Sequence, residues 1–387
     1  MRAKNNSVLK KRTFAGWINS ALFMFNIALL VLLLLAAFSD RVSPNSILFF
    51  AYLGLAFPYI FLINLLFCCW WIITFKWKRL LCCLLVFLLC YGSIRTSFPI
   101  HSKTKQKPDS CVKLLSYNTM NFQHMHPHNS NYSNGIVKYI TESKADIICI
   151  QEYAVSTNAN ANLLKEEQLN RALIKAYPYK KVHMKLNNNN SIFGIAVFSK
   201  FPILSSRMLD VKSSYNSTME AEIDVNGKII TLINCHLESN KLSIEERSDY
   251  SSFVGELKDG GINLGSKKFD DMYVKMASKL TPAYKIRANQ VELVAKTVQN
   301  SPNPYIVVCG DFNDTPISYA RRTVKGNLKD AFVESGSGLG VTFNKYRFYF
   351  RIDYIMHSKN IKSYNCTVDS RIHNSDHYPI WTYLELN

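Results

Sequence analysis

Hydrophobic and polar positions divide this chain into two unlike parts. Residues 14–38, 47–75 and 80–94 are almost unbroken apolar stretches. A helix needs about 20 apolar residues to cross a bilayer, so the first two are long enough and the third is at the short end. The pattern predicts three membrane helices, with Pro58 and Asn64 tolerated inside the second because neighbouring helices satisfy freed polar groups. Beyond residue 110 the pattern becomes one of short apolar runs separated by helix-period segments. Runs at 113–117, 145–151, 192–199, 218–225, 228–236, 305–309, 351–357 and 378–386 predict strands. Segments 162–176, 243–257 and 283–299 predict helices. Asn226-Gly227 is a hairpin pair, so at least part of the sheet is antiparallel. Residues 98–110, with two prolines and several lysines, read as a linker, and 187–190 as a polar loop. The organisation is then an anchor (1–97), a linker (98–110) and one sizeable domain (111–387).

Charge adds an orientation. The formal net charge is +18, which favours anionic partners such as nucleic acid or acidic lipid. Arg2, Lys4, Lys10, Lys11 and Arg12 precede the first span, and Lys76, Lys78 and Arg79 form the turn before the third. With three crossings these eight share one side, against five Lys/Arg on the other (Arg41, Arg95, Lys103, Lys105, Lys107). The positive-inside bias then places the large domain outside the cytoplasm, and two crossings would place it inside. The spans contain no buried charge that would mark a translocation path, which argues against a transporter. Of ten cysteines, Cys149, Cys235 and Cys309 fall inside strand runs and read as free core thiols; no zinc-ligand spacing is present.

The chemistry lies at the ends of the predicted strands. Asn118 ends the first run, Glu152 the second and His236 the run at 228–236. Gly310 ends the run at 305–309 and allows a sharp turn, with Asp311 and Asn313 next. Asp353 sits inside a later run, and Asp376 and His377 stand just before the last. Polar ends on several buried strands are how an α/β scaffold assembles a site from distant sequence. The same Asp311 and Asn313 also suit an Asx-type turn. His124, His126 and His128 follow Asn118 and read as a solvated or substrate-facing loop. Lys241, Lys267, Lys268 and Arg287 are candidates for lining a phosphate channel.

Taken in order, Leu115-Ser116-Tyr117-Asn118, Ile150-Gln151-Glu152, Cys235-His236-Leu237, Gly310-Asp311-Phe312-Asn313 and Ser375-Asp376-His377-Tyr378-Pro379 resemble the motifs of the endonuclease/exonuclease/phosphatase superfamily, of deoxyribonuclease I-like fold. Phe198-Ser199-Lys200-Phe201-Pro202-Ile203 is similar to a structural turn of that superfamily. The resemblance implies an α/β class: a four-layer α-β-β-α sandwich of two mostly antiparallel sheets, preceded here by N-terminal transmembrane helices. It also implies metal-assisted hydrolysis of a phosphate ester, with Mg2+ (or Mn2+) as one or two ions. Glu152 and Asp376 would supply hard oxygen ligands and Asn118 a neutral one, as suits magnesium. Asp311 would deprotonate the attacking water, and Asn313 would hold a phosphate oxygen or fix Asp311. His236 and His377 would flank the phosphate, with Asp353 setting the tautomer of His377. Expected partners are a phosphate-ester substrate (nucleic acid, phospholipid or inositol phosphate) and the lipid bilayer, with no protein partner evident. The alternative is a binding or scaffold module without turnover; the complete polar set argues against it.

Overall fold

A computed structural model of the chain describes residues 14–122, 134–157, 163–188, 191–258, 267–345 and 348–387. The histidines of the loop after Asn118 (His124, His126, His128) and residues 189–190 of the polar 187–190 run lie outside the described residues. The apolar first part forms α1 (Phe14–Ala37), α2 (Phe49–Ile73), α3 (Trp77–Leu89) and α4 (Tyr91–Ser97). Two of these, α1 and α2, are long and apolar enough to cross a membrane. The third apolar run is not one straight helix, because α3 and α4 meet at 70°. The bend falls beside a Gly92-Ser93 pair, a common cause of helix kinks, and the Ser93 hydroxyl donates to the carbonyl of Ala37 at 2.7 Å. Inside the bundle, Asn64 accepts from the Asn26 amide at 3.0 Å and Asn26 accepts from the Trp71 indole at 2.9 Å, so the buried polar groups are paired.

The second part contains β1 (Val112–Asn118), α5 (Gly135–Glu142), β2 (Ile147–Ser156), α6 (Glu166–Leu173), β3 (Tyr179–Asn188), β4 (Ser191–Ser199), β5 (Ile203–Leu209), β6 (Thr218–Val225) and β7 (Lys228–His236). It continues with α7 (Ile244–Lys258), α8 (Lys267–Asn300), β8 (Tyr305–Asp311), α9 (Tyr319–Lys325), β9 (Lys329–Asp330), α10 (Ala331–Ser335), β10 (Asp353–His357), β11 (Ile361–Val368) and β12 (Ile380–Leu386). Two six-stranded sheets result, in the orders β11-β12-β1-β2-β4-β3 and β5-β6-β7-β8-β10-β9. Each has a single parallel pair at its centre, β1 with β2 and β7 with β8, and is antiparallel elsewhere. One apolar core fills the space between the sheets, with Leu114, Ile147 and Val197 facing Ile223, Leu232 and Val307. A second core packs α5 and α6 on the outer face of the first sheet, and a third packs α8 and α9 on the second. This is a four-layer α-β-β-α sandwich. Cys149, Cys235 and Cys309 are buried free thiols within it.

All eight predicted runs form strands, and the four unpredicted ones (β3, β5, β9 and β11) are the four sheet edges. Edge strands carry charges and short apolar runs that discourage further pairing, which removes the signal. Segment 283–299 is the end of the much longer α8, which runs through Pro282. The 98–110 segment is laid against the domain: His101 Nε2 meets the carbonyl of Val333 at 2.9 Å, and Thr104 donates to Asn365 at 2.7 Å.

The two parts touch. Ile317 of the sandwich is buried among Leu33, Ala36 and Phe57 of α1 and α2, a contact worth about 1.5–3 kcal/mol by its apolar area. Gly54 of α2 makes this approach possible, since a Cβ there would stand 2.2 Å from the Ile317 carbonyl oxygen. Arg322 lies 3.5 Å from Asp40 at the end of α1, and Arg351 donates to the carbonyl of Thr96 at the end of α4.

Candidate active site

The two central parallel pairs end at the same edge of the sandwich. In the second sheet the register sets His236 beside Asp311 and Asp311 beside Asp353, so three strands deliver one row of side chains. Gly310 differs from the expected turn: it lies inside β8, with φ of +125°. A Cβ there would fall 2.0 Å from the Cys235 carbonyl oxygen, so close strand approach, not a chain reversal, requires glycine. The turn comes two residues later, at Asn313 (φ +53°), whose backbone N–H donates to Asp311 Oδ1 at 2.8 Å. The Asx turn and the site are therefore one structure.

In the first sheet Asn118 pairs with Gln151, and Glu152 follows. Glu152 is not at a strand end as the sequence suggested. It sits inside β2 on a bulge, with φ of +50°, where the register with β4 slips between Ile150 and Tyr153. A bulge re-aims the side chain toward the edge, and a non-glycine residue held at positive φ costs of order 1–3 kcal/mol. Thr119 secures it: its N–H donates to the Gln151 carbonyl at 3.1 Å and its hydroxyl to that of Glu152 at 3.0 Å. Gln151 itself ties the sheets together, donating to Ser116 Oγ at 3.1 Å and Asn234 Oδ1 at 2.6 Å.

These ends form one polar network. Asn118 Nδ2 donates to Glu152 Oε1 at 3.1 Å and Asp311 Oδ2 at 3.0 Å. Its own oxygen accepts from the Met120 N–H at 3.1 Å, so the carboxamide bridges two carboxylates through its nitrogen and keeps one lone pair on its oxygen. Asn313 Nδ2 donates to Leu237 O at 3.0 Å and Asp311 Oδ2 at 3.3 Å. His377 Nδ1 contacts Asp353 Oδ2 at 2.8 Å, while its Nε2 stands 3.7 Å from Asp311 Oδ2. His236 Nε2 stands 3.8 Å from Asp311 and 3.7 Å from Glu152. Asp376, anchored through its neighbour Ser375 to the carbonyl of Asn118 at 2.9 Å, faces the same cavity.

Burial sets the charges. It pushes the Asp311 carboxyl up to about 6, with Asp353 adding to the rise and His377 opposing it. Burial and then Asp376 raise Glu152. Burial holds His236 below its usual range, against the pull of Asp311. Burial would do the same to His377, but Asp353 and Asp311 together outweigh it and raise that ring well above. One imidazole is thus held neutral and the other cationic, side by side.

All these groups except Asn118 and Asp353 line a cavity of about 420 Å³. Its wall also includes Arg247, Asn240, Phe343 and Tyr250, which no sequence motif marked. Arg247, rather than the expected basic residues, is the cation here; its guanidinium lies 5.6 Å from the centre of the Phe343 ring. Arg287 is buried and set against Asp314 at 3.4 Å, and Lys241 pairs with Glu238 at 2.6 Å. The side chains of Lys267 and Lys268 lie outside the described residues.

Two donor sets are candidates for a divalent cation. Asp311, Asp353 and His377 bring ligand atoms within 4.8 Å of one another, but their hydrogen bond already uses Asp353 and one ring nitrogen. Glu152 and Asp376 are two carboxylates facing one cavity, and burial, with the charge of Asp376 added to it, raises the Glu152 carboxyl. A cation relieves that repulsion, and hard oxygens suit magnesium, so the second set fits better.

Comparison with known proteins gives the family. A model of the Endonuclease/Exonuclease/phosphatase family matches residues 115–377, and one of a domain of unknown function (DUF8431) matches residues 19–97. No curated protein matches the chain. Among solved structures, an endonuclease/exonuclease/phosphatase from Beutenbergia cavernae is 14% identical, with a TM-score of 0.48 over 72% of this chain and 72% of that one. A humanized TDP2 of D. rerio is 13% identical, with a TM-score of 0.47 over 72% of this chain and 100% of that one. The catalytic domain of human Nocturnin, with bound sulfate, is 15% identical, with a TM-score of 0.45 over 72% of this chain and 94% of that one. With the matched model covering most of both sheets and every motif from Asn118 to His377, the chain belongs to the Endonuclease/Exonuclease/phosphatase family.

Proposed function

We propose that the chain is a membrane-tethered, divalent-metal-dependent phosphoesterase, anchored by residues 1–97, linked by 98–110 and catalytic over 111–387. The observation that carries this reading is the convergence of Glu152, His236, Asp311, Asn313, Asp376 and His377 on one cavity from strands of both sheets. Asp311 is the base. Of the four acceptor positions on its carboxylate, three take N–H donors from Asn118 and Asn313, and one remains for a water. Asn118 and Asn313 act by fixing that carboxylate. His236 and His377 line the same cavity as Asp311, so a phosphate bound there is within reach of both imidazoles. Asp353 orients His377 and keeps it charged, so that it offers a proton from Nε2. In hydrolysis the water oxygen bonds to phosphorus, its proton passes to Asp311, and the ester P–O bond breaks. The departing oxygen leaves as an alcohol with the proton from His377. A magnesium-class cation held by Glu152 and Asp376 would supply charge neutralisation at the phosphate.

The test is hydrolysis of a chromogenic phosphodiester by the full chain in detergent with Mg2+. Chelation should lower the rate by about a hundredfold or more, and added Mg2+ should restore it. A rate indifferent to chelation would remove the metal from the reading.

The anchor supports three crossings. Arg79, at the start of α3, donates to the carbonyl of Asn19 near the start of α1. The ends of α1 and α4 instead meet Arg322 and Arg351 of the sandwich. On this reading the catalytic domain lies across the membrane from the N-terminus, and the positive-inside bias of the basic flanks favours the outside of the cytoplasm. A reporter that lights only in the cytoplasm, fused at the C-terminus, should stay dark; a bright fusion would refute this orientation.

A further inference from the structure

The catalytic cavity has a wall that the sandwich does not supply. Tyr52, Leu55, Ala56 and Tyr59 of α2 line it together with Asp311 and His377. These positions share one helical face, which continues along α2 as Leu62, Ile63 and Leu66, exposed by 48%, 42% and 69%. Tyr59 belongs to both stretches: it lines the cavity and is itself 53% exposed. Opposite stand Met276, Leu280 and Tyr284 of α8, with Tyr52 bonding Thr281 of that helix at 3.0 Å. Tyr250, stacked on Phe348 at 4.2 Å, extends the aromatic lining. The cavity is therefore charged at the catalytic end and apolar where a membrane-type helix borders it.

Resting on the phosphoesterase reading above, we propose that the substrate is a bilayer phospholipid. Its phosphate ester occupies the catalytic end, and its acyl chain lies along the Tyr59, Leu62, Ile63 and Leu66 face of α2. One observation selects this occupant: the face belongs to a helix long and apolar enough to span a membrane and runs on from the apolar wall of the cavity, so an acyl chain can lie along it while the phosphate ester reaches the catalytic end.

The test uses the full chain in detergent with Mg2+ and three probes: phosphatidylethanolamine/phosphatidylglycerol vesicles, a single-stranded DNA oligonucleotide and the chromogenic diester. Lipid products, followed by mass spectrometry, should form at least about tenfold faster than the oligonucleotide is cut. Gly54→Val gives the second reading, because the added side chain meets the Ile317 carbonyl and moves α2 off the sandwich. Vesicle turnover should fall by about tenfold relative to chromogenic-diester turnover in the same preparation, which also reports that the variant is folded. Preference for the oligonucleotide, or an equal fall on vesicles and diester, would overturn the lipid assignment. So would diester hydrolysis with intact vesicles, and that outcome leaves the phosphoesterase reading standing. Failure on all three probes removes that reading and this one with it.

Discussion

Asp311→Asn in the full chain is expected to lower turnover of a chromogenic phosphodiester by about 10²- to 10⁴-fold, the range for loss of a positioned base. The substitution keeps the shape of the side chain and removes its ability to take a proton. It has a second effect that must be measured separately. Both oxygens of Asp311 accept N–H groups, Oδ1 from the Asn313 backbone and Oδ2 from the Asn118 and Asn313 amides. Either orientation of the new amide sets a donor against a donor, at a cost of about 1–3 kcal/mol. Thermal unfolding should therefore show a modest loss while most of the chain remains folded at the assay temperature. Turnover within about threefold of the unmodified chain would show that Asp311 does not activate the water.

The second large effect concerns His377. His377→Ala should lower kcat by about 10²- to 10³-fold, because it removes a cationic donor placed where charge builds on the phosphate and the departing oxygen. It also leaves Asp353, buried and 2.8 Å from the lost ring, without its partner. Asp353→Asn should lower kcat as well, since Asp353 acts by holding the ring and its charge. The two effects are coupled through one hydrogen bond, so Asp353→Asn placed in the His377→Ala background should add little. Full additivity of the two losses would mean that Asp353 acts on something other than His377. An unchanged kcat in His377→Ala would remove the ring from the chemistry altogether.

Much of the fold is legible in the sequence. Eight strands declared themselves because they are interior: β7, for example, is buried from Ile230 to His236, and that yields a dense apolar run. The edges hid because an edge must be short or charged to avoid pairing further. In β3, Tyr179–Asn188, three lysines and a histidine dilute the alternation. The polar residues at the ends of β1, β7 and β8 could likewise be picked out, since each interrupts an apolar run that core burial explains.

What stayed hidden has a common cause, which is that it depends on separation in space and not along the chain. No local rule predicts that β2 continues past Glu152, because a bulge is defined by its partner strand, here β4. Gly310 looked like a turn since glycine at the end of an apolar run usually is one; only the Cys235 carbonyl pressed against it shows otherwise. Arg247 sits on a helix of unremarkable pattern and gains its place from Phe343, almost a hundred residues away.

The sequence by itself determined the long apolar stretches, the eight interior strands and the polar residues that end several of them, because burial and charge are written locally, while the sandwich followed from the family those motifs resemble. Tertiary structure alone decided which atoms meet. Packing turned Asn118 into a bridge between carboxylates, locked Arg287 and Lys241 into ion pairs, and set α2 against the catalytic cavity. That last contact depends on one glycine and one isoleucine carbonyl more than two hundred and fifty residues apart, a distance over which no periodicity carries information.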